Sequence, residues 1–302
     1  MKVKLTFFHI LSLSLLFVLL LAASGVADSP LVQVLNTGCI DWSAGTIRVH
    51  GVAAPDTFDD GESPDSPAEI LDTARRIAQF NLIETAGVIP INAVSQIADR
   101  MAQSTDFRDG LISLARNASL TRQEYLSDGT VEIELTMNLT GGFSQFVLPE
   151  EIRQVDSVVT MTAAEPDADK PVKPVEGIDG DAYTGLIIDA TGIGAKPSLA
   201  PVVVDESEDV VYGPAFVSRE FAVSRGMSGF ATTLAAARND KRVGPRPLVI
   251  KAIRTRSTGE TDLVVSSADG ARLRSSVVHL NFLKACRVSI VMDPEAGQQS
   301  GL

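Results

Sequence analysis

Thr130-Val131-Glu132-Ile133-Glu134-Leu135-Thr136-Met137-Asn138-Leu139 alternates apolar and polar residues without a break. Successive side chains of a strand point to opposite faces, so the pattern predicts a strand with one face buried and one in water. Ser127-Asp128-Gly129 ahead of it reads as a turn, and Gly141-Gly142 ends it. Upstream, Thr46 to Val52 predicts a partner strand, with Ile47, Val49 and Gly51 on one face and Arg48 and His50 on the other. Between these strands lies a sharp helix start, Ser66-Pro67-Ala68-Glu69. Ser66 can cap, Pro67 suits the first helical position, and Glu69 can complete a capping box. The helix is expected to run to about Ala86, with Leu71, Ala74, Ala78 and Leu82 on its buried stripe. A second helix is expected over about 92–103 and a short third over 111–118. Strand, helices, strand makes an α+β first half in which helices pack on one face of a small sheet.

The second half has a different rhythm. Gly185-Leu186-Ile187-Ile188-Asp189 is a continuous apolar run, the mark of a strand buried on both faces. Further strands are expected at 201–205, 209–213, 248–254, 263–266 and 287–292. Residues 218–234 stay ambiguous because Gly226 and Gly229 oppose a regular helix. Ser267 or Asp269 can cap a helix running to about Ala285, so strand, helix and strand suggest a crossover within a second α/β domain. Residues 151–181 carry Pro166, Pro171 and Pro174 beside clustered acids and read as a linker. The expected division is a signal peptide at 1–27, a helix-on-sheet domain at 28–150, the linker at 151–181, the α/β domain at 182–295 and a tail at 296–302.

Lys2 and Lys4 precede an apolar run densest from Leu11 to Ala23, and Gly25-Val26-Ala27 supplies small residues at a cleavage site. This is the layout of a secretion signal, so a periplasmic chain beginning at Asp28 is expected, with no membrane span once the signal is removed. The chain has a formal net charge of −12; without Lys2 and Lys4 the remainder carries −14. So acidic a body repels nucleic acid, and no nucleic-acid partner is expected.

Motifs for chemistry are weak. The acidic loop 54–65 lacks the spacing of a calcium loop ending in a bidentate glutamate. Gly192-Ile193-Gly194 follows a strand, yet Pro197 and Pro201 leave no room for the helix that a dinucleotide site needs. Gly226-Met227-Ser228-Gly229 does not fit a nucleophile elbow, and His50 and His279 are the histidines left to serve it after signal removal. Asp189 and Asp262 adjoin strands, but with 38 acids in the chain some pairing is expected by chance. No catalytic residue, metal ligand or cofactor is expected. Two cysteines, Cys39 and Cys286, are left open between a disulfide and two separate buried thiols. Lys241, Arg242 and Arg246 form the one basic cluster, joined by Lys251, Arg254 and Arg256, and are the candidate contact for an acidic partner.

The strand Ile47 to Val52, the alanine-rich helix with Ala74-Arg75-Arg76-Ile77-Ala78, and Asp128-Gly129-Thr130-Val131-Glu132-Ile133 resemble a known domain. It is shared by flagellar assembly protein T and a family of small bacterial surface lipoproteins, and the resemblance covers about residues 40–150. It implies a helix-on-sheet module for assembly at the outer envelope, with no catalytic residues to carry over. The expected function is therefore non-enzymatic: an exported envelope protein in assembly or protein interaction, flagellum- or surface-associated, with an envelope protein as partner. The competing expectation is a periplasmic hydrolase or small-ligand binder with a pocket between the halves.

Overall fold

The computed structural model describes residues 29–55, 66–152 and 183–297. The expected signal at 1–27 lies outside them, as do residues 56–65 of the acidic loop, 153–181 of the linker and 298–302 of the tail.

The chain is α+β. The alternating stretch forms strand β7 (Val131–Asn138), with Val131, Ile133, Leu135 and Met137 buried. It pairs antiparallel with β3 (Thr46–Ala53), Ile47 facing Met137 and Gly51 facing Ile133. With β1 (Val32–Val34), β2 (Gly38–Asp41) and β6 (Ser119–Tyr125) these strands make an antiparallel sheet of order β1-β2-β3-β7-β6. Helix α1 (Pro67–Gly87) lies across β3 and β7. Its start is the expected capping box: Glu69 N donates to Ser66 Oγ at 3.3 Å and Ser66 N to Glu69 Oε2 at 2.7 Å. Ile70, Ala74, Ala78 and Leu82 are its buried stripe, with Ile70 in the place expected of Leu71, which is half-buried. Gly51 permits the close approach, because a Cβ there would stand 2.0 Å from the Ala74 carbonyl oxygen.

The expected second helix begins later. Asn92 Oδ1 accepts from the amides of Val94 and Ser95, each at 3.0 Å, and folds the chain into a two-strand ribbon, β4 (Pro90–Asn92) and β5 (Ser95–Gln96). An Asx turn of this kind competes with helix at just these residues. Helices α2 (Ile97–Gln103) and α3 (Thr105–Arg116) follow, with Ser104 capping the second at Phe107. Strand β6 is not foreshadowed by the sequence pattern, since all seven of its residues are exposed and no apolar alternation marks it. A short helix α4 (Gly142–Val147) closes the first half.

The second half is a mixed sheet of order β10-β9-β13-β12-β8-β14-β11. Its strands are β8 (Gly185–Asp189), β9 (Val203–Asp205), β10 (Val210–Tyr212), β11 (Gly229–Ala231), β12 (Pro247–Arg256), β13 (Gly259–Val265) and β14 (Val288–Val291). The ambiguous 218–234 resolves into α5 (Arg219–Arg225), a stop at Gly226, and β11. Gly226 has φ +77°, a conformation that glycine adopts without strain and that ends the helix. Helix α6 (Leu234–Asn239) then covers one face of the sheet. Ile187 packs there with Ala231, Ala237, Val243 and Val291, while Leu186 and Ile188 face the main core. That is why β8 reads as an unbroken apolar run.

Two expectations change here. The single helix to Ala285 is two, α7 (Ser267–Arg274) capped by Ser266 and α8 (Val277–Lys284) capped by Ser276. The helices do not join neighbouring parallel strands. β13 pairs antiparallel with β12 through a tight turn and parallel with β9, so both its edges are filled. β14 pairs beside β8 instead, separated from β13 by β12 and β8 and opposite to it in direction. Buried apolar residues from both halves form one continuous cluster.

Candidate functional site

Between the two sheets lies a cleft of about 230 Å³. Its first-half wall is the β2–β3 turn from Trp42 to Gly45, together with Leu139 and Thr140 after β7. The turn is tied to the strand end, because Leu139 N donates to Gly45 O at 2.8 Å. Trp42 is 4% exposed, donates from Nε1 to Gln33 Oε1 at 3.3 Å, and meets the Phe230 ring edge-on at 5.6 Å. Edge-to-face aromatic pairs favour this geometry, so the contact pins one sheet against the other.

The second-half wall is the segment from Arg225 to Phe230, with Ser198, Leu199, Asp240 and Arg242. Arg242 holds it from beneath. Its Nη1 donates to Gly226 O at 3.0 Å and to Cys286 O at 3.3 Å, its Nη2 donates to Arg225 O, and its Nε lies 3.7 Å from Asp240 Oδ2. The fully buried Tyr212 donates from its hydroxyl to Met227 O at 2.5 Å. The carbonyls of residues 225, 226 and 227 are thus drawn inward one after another. Gly229 leaves room for the ion pair, since a Cβ there would meet Asp240 Oδ2 at 2.9 Å and Arg242 Nε at 3.0 Å.

This anchoring leaves the cleft with two unmatched hydroxyls. Ser198 is 1% exposed and Ser228 is 9% exposed, and neither Oγ has a hydrogen-bond partner. A buried polar group left without a partner costs about 1–3 kcal/mol, so these two hydroxyls are the polar groups of the cleft wall left open to another partner. Burial lowers the Arg242 guanidinium from its ordinary value, raises the Tyr212 phenol well above its own, and pushes the Cys286 thiol up to about 11. A thiol so raised is protonated at neutral pH and is a poor nucleophile.

The basic cluster is divided by the fold. Lys241 and Arg246 are exposed. Arg242 is not a surface contact: only 16% of its side chain is exposed, and its donors are committed to backbone carbonyls and Asp240. A guanidinium has five fixed donors, which suits it to satisfying several carbonyls of one loop at once. Lys251 and Arg254 are exposed, while Arg254 and Arg256 pair with Glu208 at 3.7 and 2.6 Å.

The cysteines are not bridged. Cys39 lies on β2, opposite Arg48, and Cys286 is enclosed beside Tyr212, each with a free thiol. Cys286 follows α8 with φ +55°, its amide donating to Leu283 O at 2.9 Å and that of Arg287 to Phe282 O at 3.0 Å. This is a Schellman ending with cysteine where glycine usually stands.

Ser228 and His279 are not brought together. His279 Nδ1 is 2.9 Å from Arg272 O, and its ring lies between those of Tyr183 and Phe282. Asp189 caps a turn by accepting from Thr191, and the Gly192-Ile193-Gly194 stretch is a turn with φ +78° and +67° at its glycines. Asp262 is pushed up chiefly by burial and accepts from Val202 N at 3.2 Å. Among the described residues no group of three His, Cys, Asp or Glu side chains could hold a metal, and no helix is long and apolar enough to cross a membrane.

Sequence reasoning passed over Trp42, Ser198, Arg225 and Asp240. They sit in four separate segments, and only the fold gathers them. The one local signal was a serine between two glycines at 226–229.

No curated protein matches the chain. A family model described as Treponema pallidum Tp0624, second domain, matches residues 185–294. The match shares neither the residues nor the family of the resemblance to flagellar and lipoprotein domains over about 40–150. What it establishes is that the second sheet, with the Arg225–Arg242 wall of the cleft, is similar to the second domain of Treponema pallidum Tp0624.

Proposed function

We propose that the protein is a non-enzymatic, exported envelope protein that acts in assembly or protein interaction, flagellum- or surface-associated, with strand β6 as its docking edge. One observation carries this reading. β6 ends its sheet, and all seven of its residues are exposed. Helix α1 covers β3 and β7 and leaves β6 overhanging. The opposite edge, β1, is in contact with the short helical turn Pro294–Gly297. An edge strand offers a row of backbone donors and acceptors to an added strand. Leu120 and Tyr125 are 42% and 57% exposed and supply apolar contact. Arg122 and Glu124, two residues apart and paired at 3.1 Å, bar indiscriminate pairing and select a partner of matching charge order. The layout of residues 1–27 supports export, with the periplasm as the place of action. Lys241 and Arg246 offer a further contact to an acidic partner.

The test is affinity recovery from envelope fractions with residues 28–302 as bait. A doubly reversed chain, Arg122→Glu with Glu124→Arg, is expected to lose the partner that the unaltered chain retains, with an unchanged unfolding midpoint. Equal recovery by both baits would remove β6 from the interaction.

A further inference from the structure

We propose that the cleft between the two sheets binds a small organic carboxylate of about amino-acid size, held by the Arg225 guanidinium and the Ser198 and Ser228 hydroxyls against Trp42. This site is separate from β6 and does not depend on it. Three observations converge. The first is the pair of buried hydroxyls, Ser198 Oγ and Ser228 Oγ, which line one cleft and have no partner. A hydroxyl can donate to a carboxylate as well as accept, so two of them suit an oxygen-rich ligand.

The second is charge. Arg242 is committed to Asp240 and three carbonyls. Arg225 has no carboxylate partner among the described residues; its guanidinium lies 5.1 Å from the centre of the Phe221 ring. The cleft therefore carries two guanidiniums and one carboxylate, Asp240. On a body of strongly negative charge this is a local excess of one positive charge, and the planar donor fork of an arginine matches a carboxylate.

The third is size and rigidity. About 230 Å³ is room for roughly eight waters and lies below the range of pockets for drug-sized ligands. The wall from 225 to 229 is fixed by Arg242 and Tyr212, so its donors are set before a ligand arrives. Trp42 and Leu199 give an apolar surface for a short carbon skeleton.

Trp42 is the single tryptophan of the chain, so its emission reports on this cleft alone. Residues 28–302, in a buffer free of carboxylates, are titrated with acetate, lactate, succinate, glutamate and glucuronate, and with lactamide as the uncharged counterpart of lactate. At least one carboxylate is expected to change the emission saturably, while lactamide does not. Arg225→Gln is expected to weaken that carboxylate about tenfold or more, and Ser198→Ala with Ser228→Ala to weaken it while leaving the thermal midpoint unchanged or higher. A merely structural serine pair would lower the midpoint instead. No saturable change with any of the five up to about 10 mM, equal responses to lactate and lactamide, or unaltered binding by Arg225→Gln would each overturn the proposal.

Discussion

Ser66→Ala removes the oxygen that accepts from the Glu69 amide, and about 1 kcal/mol of stability should go with it, seen as a lower urea midpoint at constant slope. This cap was legible because every partner lies within four residues. Asp205 was not legible. Its carboxylate accepts from Arg274 Nη2 at 2.6 Å and from the amides of Ser207 and Asp209 at 2.9 and 3.1 Å, partners spread over 70 residues of sequence. The hydrogen bond from Arg274 holds its pKa below the ordinary 3.8. A carboxylate with a depressed folded value stabilises above its unfolded pKa and loses that contribution as pH falls through the folded one. Arg274→Gln should therefore lower stability at pH 7. The gap from the unaltered chain should narrow below about pH 4, as Asp205 becomes protonated in both unfolded chains and progressively in the folded ones. Urea unfolding at pH 7 and pH 3 measures this; a gap constant across both would mean that Arg274 acts by packing alone.

At the scale of elements, period decided success. β7 was legible from strict alternation, β3 from the apolar and polar faces of Thr46 to Val52, and α1 from its cap and stripe. β6 was not, because a strand that buries neither face shows no apolar period. The helix expected from Ser267 to Ala285 divides at Ser275-Ser276, where a second capping serine competes with continuous helix. Strand order in the second sheet was out of reach, since the β8–β12, β9–β13 and β8–β14 pairings join residues far apart in the chain. The tightest contact between elements is α1 on β3. Gly51→Ala puts a methyl group 2.0 Å from the Ala74 oxygen and 2.8 Å from Ala78 Cβ, and neither backbone can yield cheaply. Overpacking of this kind should cost about 3 kcal/mol. Thermal unfolding that leaves the midpoint unchanged would show that α1 can ride outward at no cost.

The whole molecule is held together by backbone as much as by apolar contact. Leu199 N and Ala200 N donate to Pro90 O and Ile91 O at 3.0 and 2.8 Å, and Gly141 N donates to Val223 O at 2.8 Å. Arg219, on α5 in the second half, reaches into the first: Nη2 donates to Gln145 O at 2.7 Å, and Nη1 to Pro149 O at 3.1 Å and Ile152 O at 3.3 Å. These three carbonyls lie at and just beyond the end of α4, where helix carbonyls lack partners of their own. A cation there also meets the negative end of the helix. Nothing local announces this role, because Arg219 is one of 26 basic residues and its partners lie about 70 positions upstream. With one apolar cluster running through both sheets, the described halves should unfold in a single calorimetric transition. Arg219→Ala deletes the charged donors and should cost at least about 1.5 kcal/mol, the lower end for a hydrogen bond to a charged group. It should also lower the cooperativity of unfolding, because the apolar cluster and the remaining backbone hydrogen bonds must then carry the coupling. Two resolved transitions in the unaltered chain would mean that each sheet is stable without the other. In that case Arg219→Ala would leave both midpoints where they were.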